Sequence, residues 1–486
     1  MRPSLQILPE SILPQVIDEA LQLLRSPGIK VGSLEALDLL YSCGAIVDQI
    51  EGVVQLPEEL ILRGLDSVPR EFSLFNRFGE PVVQYAGDQV HFNPGSSGVN
   101  MLDSETMEHR PSQTSDLIHI VQIAEVLSEY DAQSTAVICH DVPEEIGDLY
   151  RLFVVLLYSD KPIVTGAFSS QTSQVMFDML NIFAGNPQVA DEKPRAIFDV
   201  CPSPPLNWTK FASQNLVDLA NANIPAQIVS MPLTGAAAPI TLIGSIVQHA
   251  AECLSGITIH QLANPGAPIV WGGAPAQFDM RHGTTSVGAI ETALIINGYA
   301  QAGKSLGLPT HAYLSATDSK VVDTQAGMES GTSAILGTLS GINMISGAGM
   351  LDFLAAQSLE KLVIDAEAIA IARRYTRGIQ FRNSSLGLEH FEDFKFPGNF
   401  LKEKLTRELY RKEQHMPSGV IDRRSLRSWR ESGKSDTLDR AKLLVKEILS
   451  TYQRPEIPAD TAKELNLLVS DMARNFGMDQ LPEITK

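Results

Sequence analysis

Aromatic, amide and imidazole side chains recur in this chain where short β-rich runs hand over to helical stretches. They are Asn93, His140 with Asp141, Thr165, Cys201 with Ser203, Met231 with Thr234, Trp271, His311 with Tyr313, and Ser346. They offer π faces, hydrogen-bond donors and acceptors, with no basic cluster to clamp a phosphate and no Cys/His group at ordinary zinc spacing. Cys139, His140 and Cys201 could meet a zinc across neighbouring strands. Strand alternation sends Cys139 and His140 to opposite faces, which disfavours that site. The run GYAQAGKS, residues 298–305, fits the template GxxxxGK[ST]. A phosphate loop opens a helix after a strand; here the helix comes first, Gly303 and Gly307 end it and Pro309 opens a strand, so the match is read as chance.

The densest polar stretch is HAYLSATDSKVVDTQAGMES, which leaves a β run at Leu314 and re-enters a helix near Thr324. Asp318, Lys320 and Asp323 read either as functional groups or as a salt bridge and a helix cap. Gln325 and Glu329 lie one turn apart on one helical face and are functional or supporting together. In SGAGMLDFL, Gly347 and Gly349 leave room for a bulky ligand to approach the backbone and Phe353 is placed to roof it; a tight turn is the alternative. His91, Phe92 and His260 read as packing residues.

Positioning these groups requires a repeating scaffold. Eight β-rich runs follow in order: VHFN to Asn93, TAVIC to Cys139, PIVTGA to Ala167, AIFDVC to Cys201, AQIVS to Ser230, PIVWG to Gly272, THAYL to Leu314 and INMIS to Ser346. Eight one-sided apolar stretches alternate with them, at about 115–130, 145–158, 171–183, 209–222, 240–254, 287–302, 324–339 and 358–375. Strand-then-helix units imply parallel strands, and eight is the number that closes an α/β (β/α)8 TIM barrel, whose active sites sit at the strand C-terminal ends. A doubly wound open sheet is the structural rival. Residues 1–80 read as an N-terminal cap, with VVQLPEE a short strand before a Pro-initiated helix. Residues 81–379 read as the barrel and 380–486 as a helical C-terminal extension. The basic residues of DRRSLRSWR belong either to a solvated face or to a docking face for an acidic partner.

The chain has 486 residues, 44% of them apolar, enough for a large buried core. Its 57 acidic against 38 basic residues give a net charge of −19, which repels phosphate backbones and anionic headgroups, so neither nucleic acid nor a membrane is an expected partner. The four cysteines are far apart with no CxxC, prolines and acids interrupt the N-terminal apolar runs, and a cytoplasmic protein is expected. PITLIGSIVQHAAECLSGITI carries Gln248, His249 and Glu252 within one helical length and reads as a buried helix. A homodimer or larger assembly is compatible with the apolar fraction.

Over about residues 5–470 the chain resembles the trimethylamine:corrinoid methyltransferase family: FNPGSSGVNMLDSETMEHRP, QLANPGAPIVWG, TDSKVVDTQAGMES and LVIDAE follow in the family's order. The resemblance implies a barrel that moves an N-methyl group from an amine to the cobalt of a separate corrinoid protein. Founding members act on trimethylamine and carry pyrrolysine. This chain has only the twenty standard residues and so resembles the branch without it, whose members demethylate quaternary amines such as glycine betaine. A quaternary nitrogen leaves as a neutral tertiary amine and needs no general acid, so the protein has only to align methyl and cobalt. Such a cation offers no N–H; Trp271, Tyr313 and Phe353 are the expected aromatic faces. A substrate carboxylate would take donors from His311, Asn93 or the Gly347 and Gly349 amides, with His140, Asp141, Asp318, Lys320, Gln325 and Glu329 as polar groups around the mouth. No metal ligands are assigned. The chain lacks an Asp-x-His-x-x-Gly cobalamin signature, so no cofactor is expected to bind it tightly and the corrinoid (cobalamin) comes on a cognate partner protein. A zinc-dependent methanol or thiol:corrinoid methyltransferase and a non-catalytic betaine-binding barrel are the alternatives.

Overall fold

The computed structural model describes residues 2–483 except Ser104, Asn383, Ser384, Asp393 and Pro397. Eight parallel strands form its centre: β1 (His91–Pro94), β2 (Gln133–Ser134), β3 (Ile163–Thr165), β4 (Ala196–Val200), β5 (Ala226–Ile228), β6 (Ile269–Gly273), β7 (Thr310–Tyr313) and β8 (Met344–Ala348). They run β1-β8-β7-β6-β5-β4-β3-β2 around the sheet. The Asp131 N–H bonds the Phe92 carbonyl at 2.9 Å, bringing the ends together into a nearly closed TIM-like barrel. The helices between them are α1 (Thr114–Val126), α2 (Gly147–Tyr158), α3 (Ser170–Ala184), α4 (Lys210–Asn221), α5 (Leu242–Ala263), α6 (Ile290–Ser305), α7 (Thr324–Leu339) and α8 (Leu359–Thr376). Side-chain oxygens start several of them: Ser169, Thr209, Asp323 and Ser358 each accept a first-turn N–H.

One strand differs from expectation. TAVIC is not β2, which lies just before it, and only Val137 of that run makes a bridge, to Gly98. The Thr135 carbonyl is taken by the Ser97 N–H at 3.2 Å and by Arg151 Nη1 at 3.0 Å, so it is lost to a regular ladder.

A hairpin of Phe72–Phe75 with Pro81–Tyr85 plugs the N-terminal end of the barrel. Its Leu74, Val83 and Tyr85 pack on Ala132, Val164, Ile197, Val270 and Met344. This plug sets which strand residues face inward. The N-terminal helices Leu13–Arg25 and Glu58–Ser67 pack on α5, which is therefore covered on more than one side. That explains an apolar 22-residue helix that is almost wholly buried within the protein. The C-terminal helix Thr437–Thr451 packs on α8 and α1, and Ala459–Asn475 on α3 and α2. In the basic tail Arg424 pairs with Asp422 and Arg427 with Glu431, local partners that use up much of its charge.

Candidate active site

Residues two apart on a strand face the same way, so His311 and Tyr313 of β7 both enter the lumen. The register sets Ser346 of β8 beside Tyr313 on one side and Asn93 of β1 on the other. Ser346 Oγ donates to Asn93 Oδ1 at 2.7 Å and lies 3.1 Å from His311 Nε2. With the serine proton committed to Asn93, His311 must donate from Nε2, leaving Nδ1 bare. Burial drives its pKa down to about 3, which keeps this ring neutral. Asn93 Nδ2 and His311 Nδ1 have no partner among the described residues.

Above them lies an acidic group that the sequence reading passed over. Asp199 Oδ1 accepts from Gln227 Nε2 at 2.7 Å and Oδ2 from the Tyr313 hydroxyl at 3.0 Å. Ser96 Oγ stands 2.6 Å from that hydroxyl, and Tyr85 of the plug donates to Gln227 at 3.1 Å. Burial raises the Asp199 pKa to about 7, against the pull of the two hydrogen bonds, and no cation among the described residues offsets it. The carboxylate opens on a cavity of about 470 Å3, the size of a small-molecule site, which Tyr313, Phe168, Phe211, Met231 and Leu354 also line. Behind Ser97, Thr135 and Phe168, which line the cavity, buried Arg151 of α2 donates to Ser97 Oγ and the Thr135 carbonyl, both at 3.0 Å, with its guanidinium 4.8 Å from the Phe168 ring centre. Burial lowers its pKa to about 10, so it stays charged at neutral pH.

Asn93, His311 and Tyr313 thus converge on the lumen, whereas Trp271 does not join them. Val270 enters the plugged core, so alternation turns Trp271 outward and Gly272 inward. The indole donates to the Tyr299 carbonyl at 3.1 Å and lies against α6, where a Cβ at Gly303 would come 2.6 Å from it. Gly347 (φ 136°) answers to packing, since a Cβ there would sit 2.3 Å from the Leu314 carbonyl. The Gly349 amide is already bonded to Asp365 at 2.7 Å and is not free for a ligand. Phe353 lies beneath Lys320, whose Nζ is 3.8 Å from the ring centre, and its neighbour Leu354 reaches the cavity instead.

Most of the mouth polar groups brace loops. Asp318 Oδ1 accepts the Val287 and Gly288 N–H groups at 2.8 and 2.9 Å and Oδ2 the Ser286 hydroxyl. Glu329 accepts the Asp318 N–H at 2.8 Å and Gln325 Nε2 at 2.9 Å, and Lys320 donates to the Asp318 carbonyl at 2.7 Å. Together they strap the loops after β6 and β7. Asp141 accepts the Thr114 N–H at 2.9 Å, starting α1, and the exposed His140 lies 3.2 Å from the Ser112 carbonyl. In LVIDAE, Asp365 also pairs with buried Lys361 at 2.6 Å, while Glu367 accepts His415 and the Ser418 N–H at 2.7 Å, tying down the C-terminal extension. Lys304 of the phosphate-loop lookalike is spent on Asn343 at 3.0 Å.

Asp199, Phe168 and Phe211 of this cavity lie outside the residues singled out from the sequence. Asp199 did leave a signal, an acid inside the apolar run AIFDVC two residues beyond an inward Ile197. The phenylalanines left none, because loop side chains follow no period.

The chain matches the model of the family described as trimethylamine methyltransferase (MTTB) over residues 1–477. It is 30% identical over 452 residues to the trimethylamine methyltransferase MttB of Methanosarcina thermophila, covering 92% of this chain and 93% of that protein. It is 28% identical over 478 residues to a glycine betaine methyltransferase of Desulfitobacterium hafniense, covering 98% of each. Among solved structures, the monomethylamine methyltransferase MtmB of Methanosarcina barkeri aligns over 97% of this chain and 89% of its own, with a TM-score of 0.55 and 11% identity, a likeness of fold. A match over nearly the whole length, with the barrel in place, makes this chain a member of the trimethylamine methyltransferase (MTTB) family.

Proposed function

We propose that this protein transfers a methyl group from a small quaternary amine, glycine betaine foremost, to the Co(I) of a separate corrinoid protein. The observation that carries the reading is Asp199, a carboxyl group with no cation against it among the described residues, opening on a cavity that the rings of Tyr313, Phe168 and Phe211 also line. A carboxylate and π faces are what a cation with no N–H can use, each aromatic contact contributing about 0.5–2 kcal/mol. Similarity to a glycine betaine methyltransferase over 98% of the chain supports the choice of donor.

The chemistry asks little more of the chain. The methyl–nitrogen bond breaks, nitrogen keeps the electron pair, and the acceptor metal supplies both electrons of the new bond, so no proton moves. Asp199, Tyr313 and the phenylalanines hold the cation with one methyl toward the mouth, and such alignment lowers barriers by up to about 7–11 kcal/mol. Phe168, Met231, Met280 and Met328 stand exposed on segments that follow strand C-terminal ends. Flexible apolar side chains of this kind suit a protein partner covering the cavity and excluding water.

The test is to mix the protein with a Co(I) corrinoid and a panel of amines and follow the visible spectrum. Glycine betaine or another quaternary amine should convert the metal to its methylated form faster than trimethylamine does. Silence with every quaternary amine refutes the reading. Stoichiometric zinc with activity on methanol or a thiol assigns the rival chemistry, and saturable betaine binding with no methyl transfer assigns a binding protein.

A further inference from the structure

The strand register sets Gln227 of β5 beside Asp199 of β4, and behind Gln227 stands Tyr85 of the hairpin that plugs the barrel. Both side chains are fully buried, and Tyr85 is stacked on Phe72 with ring centres 4.7 Å apart. An ionised carboxylate only accepts, so Gln227 must turn Nε2 to Asp199 Oδ1, at 2.7 Å, which leaves Oε1 to accept the Tyr85 hydroxyl at 3.1 Å. The other oxygen is served differently. Oδ2 takes the Tyr313 proton at 3.0 Å, so Ser96 Oγ, 2.6 Å from that hydroxyl, donates to it.

The two arms differ in what they allow when the carboxyl takes up a proton. Tyr313 can turn its own proton to Ser96 and accept from Oδ2. Gln227 can accept from Oδ1 only by presenting Nε2 to Tyr85, whose buried hydroxyl proton then has no acceptor among the described residues, a costly state. The hairpin thus latches the amide with its donor toward the carboxylate.

We infer that Gln227, latched by Tyr85, is a positioning residue that keeps Asp199 Oδ1 an acceptor and so holds the carboxylate ready for a cation in the cavity. Neither residue lines the cavity, and both act through Asp199. The inference rests on the onium reading above and adds the residues behind its anion. The other titratable groups around Asp199 do not change charge from pH 6 to 9: burial raises Tyr313, Tyr85 and Cys201, His311 stays neutral, and Arg151 behind Ser97 stays largely charged.

Tyr85→Phe removes the latch without touching Asp199 or the cavity, and Gln227→Met removes the donor at nearly constant volume. Binding of tetramethylammonium and glycine betaine, neither of which titrates in this range, is measured by calorimetry on the natural protein and both variants at pH 6, 7, 8 and 9, with thermal melting as the check on folding. From a midpoint near pH 7, a rise of one unit weakens the Kd about fivefold at pH 7 and only about 1.1-fold at pH 9. Q227M should lose about that much or more at pH 7 and Y85F about twofold to fivefold, with both recovering the natural affinity at pH 9. A side chain that only supports the fold would weaken binding equally at every pH. Such a uniform loss, or a midpoint unmoved in either variant, overturns the latch while the onium reading stands; should one variant not fold, the other decides. A natural-protein Kd flat with pH also overturns the latch, and binding of neither cation overturns it together with the onium reading.

Discussion

If Asp199 pairs with the onium, the affinity for a permanent cation must follow the ionisation of that carboxyl. Its pKa lies at about 7 in the empty cavity because burial penalises the charged form. A cation that binds only the ionised form has an apparent Kd multiplied by 1 + 10^(7 − pH), which is about 11 at pH 6 and about 1.1 at pH 8. Glycine betaine should therefore bind about tenfold tighter at pH 8 than at pH 6, although the ligand itself does not titrate between them. Asp199→Asn removes the titration and the charge. A pair about 5 Å apart at an effective dielectric near 20 is worth about 3 kcal/mol before desolvation, so the loss for D199N at pH 8 should be about 10- to 100-fold and its Kd flat with pH. Calorimetry at pH 6, 7 and 8 and constant ionic strength reads both effects. A natural-protein Kd unchanged across that range, or D199N binding as tightly as the natural protein at pH 8, would show that the cation sits elsewhere.

Further outcomes follow from the same geometry. The folded-state pKa of Asp199 is raised, so the free protein should lose stability as pH climbs from about 4 to about 7; D199N should flatten that slope and melt higher at pH 8, by at most about 4 kcal/mol in chemical denaturation. Trp271→Phe should lower the melting temperature through the lost bond to Tyr299, yet leave the betaine Kd within about twofold, since the indole faces α6 and not the lumen. Lys361→Met leaves Asp365 buried without its partner and should cost about 3–5 kcal/mol in denaturant titration.

The placement of Lys361 and Asp365 also shows that residues of several of the quoted motifs brace the scaffold. Asp365 pins the turn after β8, Glu367 pins the chain that returns from the C-terminal extension, and Asp318 with Glu329 straps two mouth loops. Their job is to keep the rim of the barrel in one shape, so that the cavity beneath it stays formed before a substrate arrives.

Alternating β and helical patterns were enough to name the eight-unit barrel, because burial on both faces of a parallel strand and on one stripe of its helix leaves periods that survive in one dimension. The spacing of His311 and Tyr313, an even step along one strand, likewise placed them on one face. Which face turned inward was a tertiary decision. The hairpin Leu74, Val83 and Tyr85 fills the barrel's floor and draws Val270 to it, and that single contact sends Trp271 out among the helices. The same parity brings Asp199 in, above Ile197, where the surroundings change its acidity. Phe168 and Phe211 reach the cavity from a loop and a helix start, where no period ties side-chain direction to position and only the packing of distant segments sets it.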